Sequence, residues 1–99
     1  MREVVIVSRD RNGVHKFVAT FPDGHKVHFG RQGYSDYTLH KDSERMKRYI
    51  TRHKKRENWG RSGAKTAGFW SRWLLWSRPS LQSALRQTEK VLGKKIVLK

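Results

Sequence analysis

The chain has 99 residues, with 23 Lys or Arg against 8 Asp or Glu, a net charge of +15 before histidine is counted. That length sets one domain around one core, and so large a cationic excess goes far beyond what solubility requires. It points to an anionic partner, with nucleic acid first, an acidic protein surface next and anionic lipid last. The lack of cysteine excludes a disulfide framework, thiolate zinc sites and thiol chemistry.

Apolar residues make up only 35% of the chain but 11% are aromatic. A few rings, each burying about 150–250 Å², can carry a core that the aliphatic residues alone would not. Met1-Arg2-Glu3 followed by VVIV is too short an apolar run for a signal peptide. No stretch approaches the ~20 apolar residues of a transmembrane segment.

Residues 1–30 read as an antiparallel meander of about three strands. Glu3 to Ser8 (EVVIVS) is rich in β-branched residues, and Asp10-Arg11-Asn12-Gly13 follows. Asn-Gly is the signal of a two-residue hairpin because both positions accept positive φ. Val14 to Phe21 is the second strand, Pro22-Asp23-Gly24 the next turn, and His25 to Gly30 the third strand. A sheet this small needs a cover.

Residues 31–99 read as mainly helical. Arg31 to His40 is a loop with two tyrosines, Tyr34 and Tyr37. Asp42 or Ser43 then caps a helix running to about Arg56, with Glu44 at its positive end. Met46, Tyr49, Ile50 and His53 repeat at helical spacing and form its apolar face. Arg45, Arg48, Arg52, Lys55 and Arg56 form an adjacent basic face, with Lys54 and Arg61 nearby. Glu57 to Ala64, broken by Gly60 and Gly63, is a connection anchored by Trp59. A tryptophan-rich helix follows from about Lys65 to Ser77, stopped by Pro79. On a wheel, Phe69, Trp70, Trp73, Leu74 and Trp76 share a face about 160° wide, with Leu75 and Arg72 off it. The last helix carries Leu81, Ala84, Leu85, Thr88, Val91 and Leu92 on one side and ends at Gly93. Lys95 to Leu98 can form a last short strand. The expected fold is therefore α+β, a meander followed by three helices with the tryptophan-rich one central.

The basic face is the main functional signal, since Arg and Lys in line suit either a phosphate backbone or carboxylates on a protein. The binding set comprises Arg45, Arg48, Arg52, Lys54, Lys55, Arg56, Arg61 and Arg72. Trp59, Phe69, Trp70, Trp73 and Trp76 read as core or partner interface rather than a stacking platform. Tyr34 and Tyr37, flanked by Arg31 and Lys41, are the better stacking residues. His25 and His28, three apart in a strand, point to opposite faces, and His15, His40 and His53 are scattered, so no metal site is expected. Ser62 to Lys65 matches S-x-x-K without its companion motifs. No paired acids near a histidine and no glycine-rich phosphate loop occur. The expectation is a non-enzymatic protein with no cofactor and no small-molecule substrate.

Tyr34-Ser35-Asp36-Tyr37, Arg52-His53, Trp59 and Thr66-Ala67-Gly68-Phe69-Trp70-Ser71-Arg72-Trp73 carry a resemblance. The stretch from Gly33 to Pro79 resembles a family of small basic proteins of large nucleocytoplasmic DNA viruses, with copies in some algae and protists. The resemblance covers about half the chain, leaves out the N-terminal hairpin region and supplies no catalytic residue. It implies a virion component, present in the cytoplasm or nucleus of the infected cell during assembly. The favoured expectation is a minor capsid protein that cements acidic surfaces of coat proteins. The alternative is sequence-nonspecific binding and packaging of viral DNA.

Overall fold

A computed structural model describes residues 4–11 and 13–99. Glu3 of the expected first strand and Asn12 of the expected hairpin turn lie outside the described residues. The fold is α+β, with a four-stranded mixed sheet in the order β3-β2-β1-β4. β1 (Val4–Arg9), β2 (His15–Thr20) and β3 (Lys26–Arg31) are antiparallel neighbours, and β4 (Lys95–Leu98) joins β1 in parallel. A three-stranded antiparallel meander thus describes the sheet only roughly. Val5 pairs with Ile96 and Val7 with Leu98, so the C-terminal segment satisfies the edge of β1 that β2 leaves open.

Alternation places Val5 and Val7, Phe17 and Ala19, Val27 and Phe29, and Ile96 on the inner face, all buried. The outer face carries Val4, Ile6, Ser8, Val18, Thr20 and Val97, all half-buried. The first hairpin is not a two-residue turn. Arg9 pairs with Phe17, and the Asp10 N–H donates to the Lys16 carbonyl at 3.0 Å. That register leaves an odd number of residues in the connection, with Gly13 at φ +79°, the left-handed position that longer hairpin loops use.

Four helices follow. A single turn, α1 (Tyr37–His40), occupies the expected loop because the Asp36 carboxylate caps it by accepting from the Thr38 N–H. α2 (Ser43–His53) is capped by Asp42 and ends three residues before Arg56. α3 (Ala67–Trp70) starts at Thr66, whose hydroxyl accepts from the Phe69 N–H, and α4 (Leu81–Leu92) starts at Ser80 and ends at Gly93.

The tryptophan-rich segment departs from a regular helix. Past Trp70 it widens into a π-helical turn over Ser71–Leu75 and ends at Trp76. The wheel drawn at 100° per residue therefore fails beyond Trp70, because a π turn carries more residues per revolution. Leu75, expected off the apolar face, is 2% exposed. Trp73 and Trp76, expected beside Trp70, are only half-buried.

Trp70 holds the layers together. It is fully buried and stacks on Phe29 (5.7 Å between centroids), with Phe21 and Phe69 edge-on. Its indole N–H donates to the Ala64 carbonyl at 2.7 Å, so its one polar group is satisfied. Phe69, Leu74, Leu75, Ala84 and Leu92 complete the core above the sheet. Trp70→Ala is expected to cost about 3–5 kcal/mol, as for a large-to-small change in a closed core. Urea unfolding followed by far-ultraviolet circular dichroism checks this, and a loss below about 1 kcal/mol would contradict the central place given to this ring.

Candidate polyanion-binding face

α2 is amphipathic, and its burial divides it cleanly. Tyr49 is buried and Met46, Ile50 and His53 are half-buried, while Arg45, Arg48, Arg52, Lys54, Lys55 and Arg56 are all exposed. Lys54 to Arg56 continue the basic stretch past the last helical residue. The positive end of α2 holds Asp42 and Glu44 and its negative end holds the cations, the order the helix dipole favours.

The chain's few carboxylates are used elsewhere. Of eight acids, Glu3 is outside the described residues, and each of the other seven has a local task. Asp10 meets His28, Asp23 meets Lys65, Asp36 meets Lys16, and Glu57 meets His53 and the Trp59 indole. Asp42 caps α2, Glu44 lies 3.8 Å from Lys47, and Glu89 accepts from the Ile96 N–H. Among the described residues, none comes within 4.0 Å of the charged nitrogens of Arg45, Arg48, Arg52, Lys54, Lys55 or Arg56. The row is thus not neutralised from within.

Beside α2 lies a groove of about 450 Å³ between the end of β3, the 34–36 loop and the π turn. Arg31, Tyr34 and Arg52 line it, and Tyr49, His53 and Trp76 also contribute. At its base the Lys16 ammonium meets the Asp36 carboxylate at 2.7 Å, with side chains 13% and 3% exposed. Asp36 also accepts from the Thr38 N–H and hydroxyl. One carboxylate therefore ties β2 to the loop and caps α1, which fixes this wall of the groove. Tyr34 is 63% exposed with the Arg31 guanidinium 5.5 Å from its ring centre. Tyr37 is half-buried against His40, which leaves Tyr34 as the open ring of the two.

Two cations of the expected binding set make contacts within the chain, Arg72 half-buried and Arg61 exposed. The Arg72 guanidinium sits 4.5 Å from the Trp73 ring and 5.4 Å from the Trp59 ring, and its Nη1 donates to the Trp76 carbonyl. Burial lowers its pKa, with Tyr49 acting in the opposite sense. The π turn carries Arg72 into this cluster, where it links that turn to the Trp59 segment. Arg61 reaches the end of α4, with Nε 3.5 Å from the Val91 carbonyl and its guanidinium against Gly93.

The remaining tryptophans build a second aromatic cluster. Tyr49 stacks in parallel on Trp76 at 4.4 Å and lies near-parallel to Trp59 at 6.5 Å. The Trp73 indole donates to the Trp59 carbonyl at 2.7 Å. Trp59, Trp73 and Trp76 thus serve to dock α2 onto the π turn. Gly68 lies against the Glu57 carboxylate, which a Cβ there would approach within 2.6 Å and push aside. The S-x-x-K fragment assembles nothing: Ser62 accepts from Asn58, and Lys65 pairs with Asp23.

A family of unknown function (DUF5754) matches residues 5–53. That span takes in nearly all of β1 and the whole of β2, β3, α1 and α2, and so contains Arg45, Arg48 and Arg52 of the basic row, Tyr34 and the Lys16–Asp36 pair, while Lys54, Lys55 and Arg56 lie just beyond it. It overlaps the viral resemblance from Gly33 to His53 and adds the strands, while the aromatic segment lies beyond it. No curated protein and no solved structure matches the chain.

Sequence reasoning missed two groupings in this half of the molecule. Lys16 and Asp36 are 20 residues apart, and nothing in local periodicity joins them. Asp10, His15 and His28 also come together, which corrects the reading of His15 as isolated. The pairing of three strands could have suggested that cluster, had the hairpin register been known.

Asp36→Ala is expected to cost about 3–5 kcal/mol, because it leaves a buried lysine uncompensated; thermal unfolding beside wild type measures it. A second expectation concerns alkali. The Tyr49 phenol is held above its ordinary pKa, first by burial and then by Glu57. A folded-state pKa above the unfolded value of about 10 stabilises the fold below that pH, and the contribution is lost as pH rises toward the folded value. Tyr49→Phe should therefore flatten the fall in stability above about pH 10, as read from unfolding midpoints against pH.

Proposed function

We propose that this protein is a non-enzymatic binding module that grips the sugar–phosphate backbone of nucleic acid without reading its sequence. The observation that carries this reading is the exposed row Arg45, Arg48, Arg52, Lys54, Lys55 and Arg56, with no carboxylate against it among the described residues. Cations so arranged repel one another, and a row of phosphates relieves that repulsion while releasing counterions. Tyr34 and Arg31 stand at the groove beside Arg52, where an unpaired base can stack on the open ring. The viral resemblance gives this activity a setting, the packaging or condensation of a genome inside a virion.

A second reading is the minor capsid or cement protein bound to acidic coat surfaces. It draws on the same row, since guanidinium groups suit carboxylates as well as phosphates. The observation in its favour is the outer face of the sheet, where Ile6, Val18 and Val97 lie half-buried between strands. A protein partner would suit such an apolar surface better than a phosphate backbone. Trp70 is fully buried, and Trp59, Trp73 and Trp76 are half-buried in contacts with one another and with Tyr49, which leaves less indole surface for a protein interface and supports the nucleic-acid reading.

Fluorescence anisotropy with short labelled duplexes of unrelated sequence tests the first reading. Affinity should not depend on sequence and should fall with salt, with a log–log slope of about −0.9 per phosphate engaged. Arg48→Glu with Arg52→Glu should keep the melting temperature while weakening binding and reducing the magnitude of that slope by about two units. Absence of duplex or single-strand binding at physiological salt, together with stoichiometric capture by coat subunits, would favour the cement role instead.

A further inference from the structure

Asp10 follows the last residue of β1, His15 opens β2, and His28 lies within β3. One ligand atom from each lies within 4.8 Å of the other two. The Asp10 carboxylate contacts His28 Nδ1, and the two imidazole rings are 5.7 Å apart between centroids. The backbone under them is pinned: Arg9 pairs with Phe17, Phe17 with Phe29, and Val18 with His28. The Asp10 side chain is 6% exposed while that of His28 is 43% exposed. The carboxylate is therefore enclosed, and one histidine opens to solvent as an entry path.

We propose that Asp10, His15 and His28 form a binding site for a divalent transition-metal ion, with Zn²⁺ the ion their chemistry suits best. Two imidazoles and one carboxylate are borderline-soft donors that zinc accepts in four-coordinate geometry, whereas Ca²⁺ and Mg²⁺ prefer all-oxygen shells. Tetrahedral coordination with bonds of about 2.0–2.2 Å sets donor atoms about 3.4 Å apart, so the direct Asp10–His28 contact must open, and every donor pair starts within 4.8 Å. The ion then replaces the direct Asp10–His28 contact. The fourth position faces the exposed side of His28 and takes water. The overall charge of the chain opposes a further cation, but the enclosed Asp10 carboxylate offsets this locally. Arg9 is occupied with the Phe17 ring, and Lys16 with Asp36. Bound metal would staple three strands at the end of a small sheet, a common way for small domains to gain stability.

The test uses the full chain freed of metal by a chelator and titrated with ZnCl₂ in a calorimeter, with Co²⁺ absorption as a report on coordination. One equivalent of Zn²⁺ is expected to bind and raise the melting temperature, with Co²⁺ giving the visible bands of a low-coordinate nitrogen and oxygen site. His28→Gln and His15→Gln should each weaken binding at least about tenfold and abolish the thermal shift, while His25→Gln, on the neighbouring turn, should leave both intact. His28 is partly exposed, so that variant reports on the site even if His15→Gln does not fold. Failure to bind one equivalent, or binding that His28→Gln leaves unchanged, would overturn the proposal.

Discussion

The change from α to π geometry at Ser71 is the constraint on which this structure turns. It divides a run of rings that sequence reading places on one face. Phe69 and Trp70 precede it and enter the core above the sheet. Leu74 and Leu75 join them from the π turn, while Trp73 and Trp76 are directed toward α2. A single helical segment thereby cements two interfaces. Without the wider turn, one of those interfaces would lose its aromatic residues.

That division also sets the surroundings of Arg72. A guanidinium between two indoles, bonded to a backbone carbonyl, keeps its charge at the cost of partial desolvation, which the ring faces offset in part. The cations of α2 experience the opposite environment. They stand in water on the far side of a helix whose inner face is committed to Tyr49 and the tryptophans. Packing residues and exposed cations are thus separated on the two sides of one helix, and the carboxylates of the described residues are withdrawn to caps and local pairs. The same economy of acids explains Asp36, which serves as helix cap, ion-pair partner and loop anchor at once.

The part of the chain that matches a family of unknown function contains three of the four strands, Arg45, Arg48 and Arg52 of the basic row and the Asp10–His15–His28 cluster. The aromatic segment that stabilises them lies outside that match. The two halves depend on each other, since Phe29 of the first stacks on Trp70 of the second. β4, near the C-terminus, likewise pairs with β1 at the start. The functional candidates of the first half therefore rest on packing supplied by the second.

The amino-acid sequence alone determined the α+β class, the alternating strands, a start of α2 at Asp42 or Ser43 and the basic face of α2. These follow from local rules: side-chain period, turn chemistry and charge order along a helix. Tertiary structure decided the parallel addition of β4, the register of the first hairpin, the π turn, the inward fate of Arg72 and the burial of Lys16 with Asp36. It also brought together Asp10, His15 and His28, which local spacing gives no reason to associate. The physical reason is the same in each case: these features depend on which distant segment fills a space or satisfies a polar group, and a residue's near neighbours in sequence do not specify that.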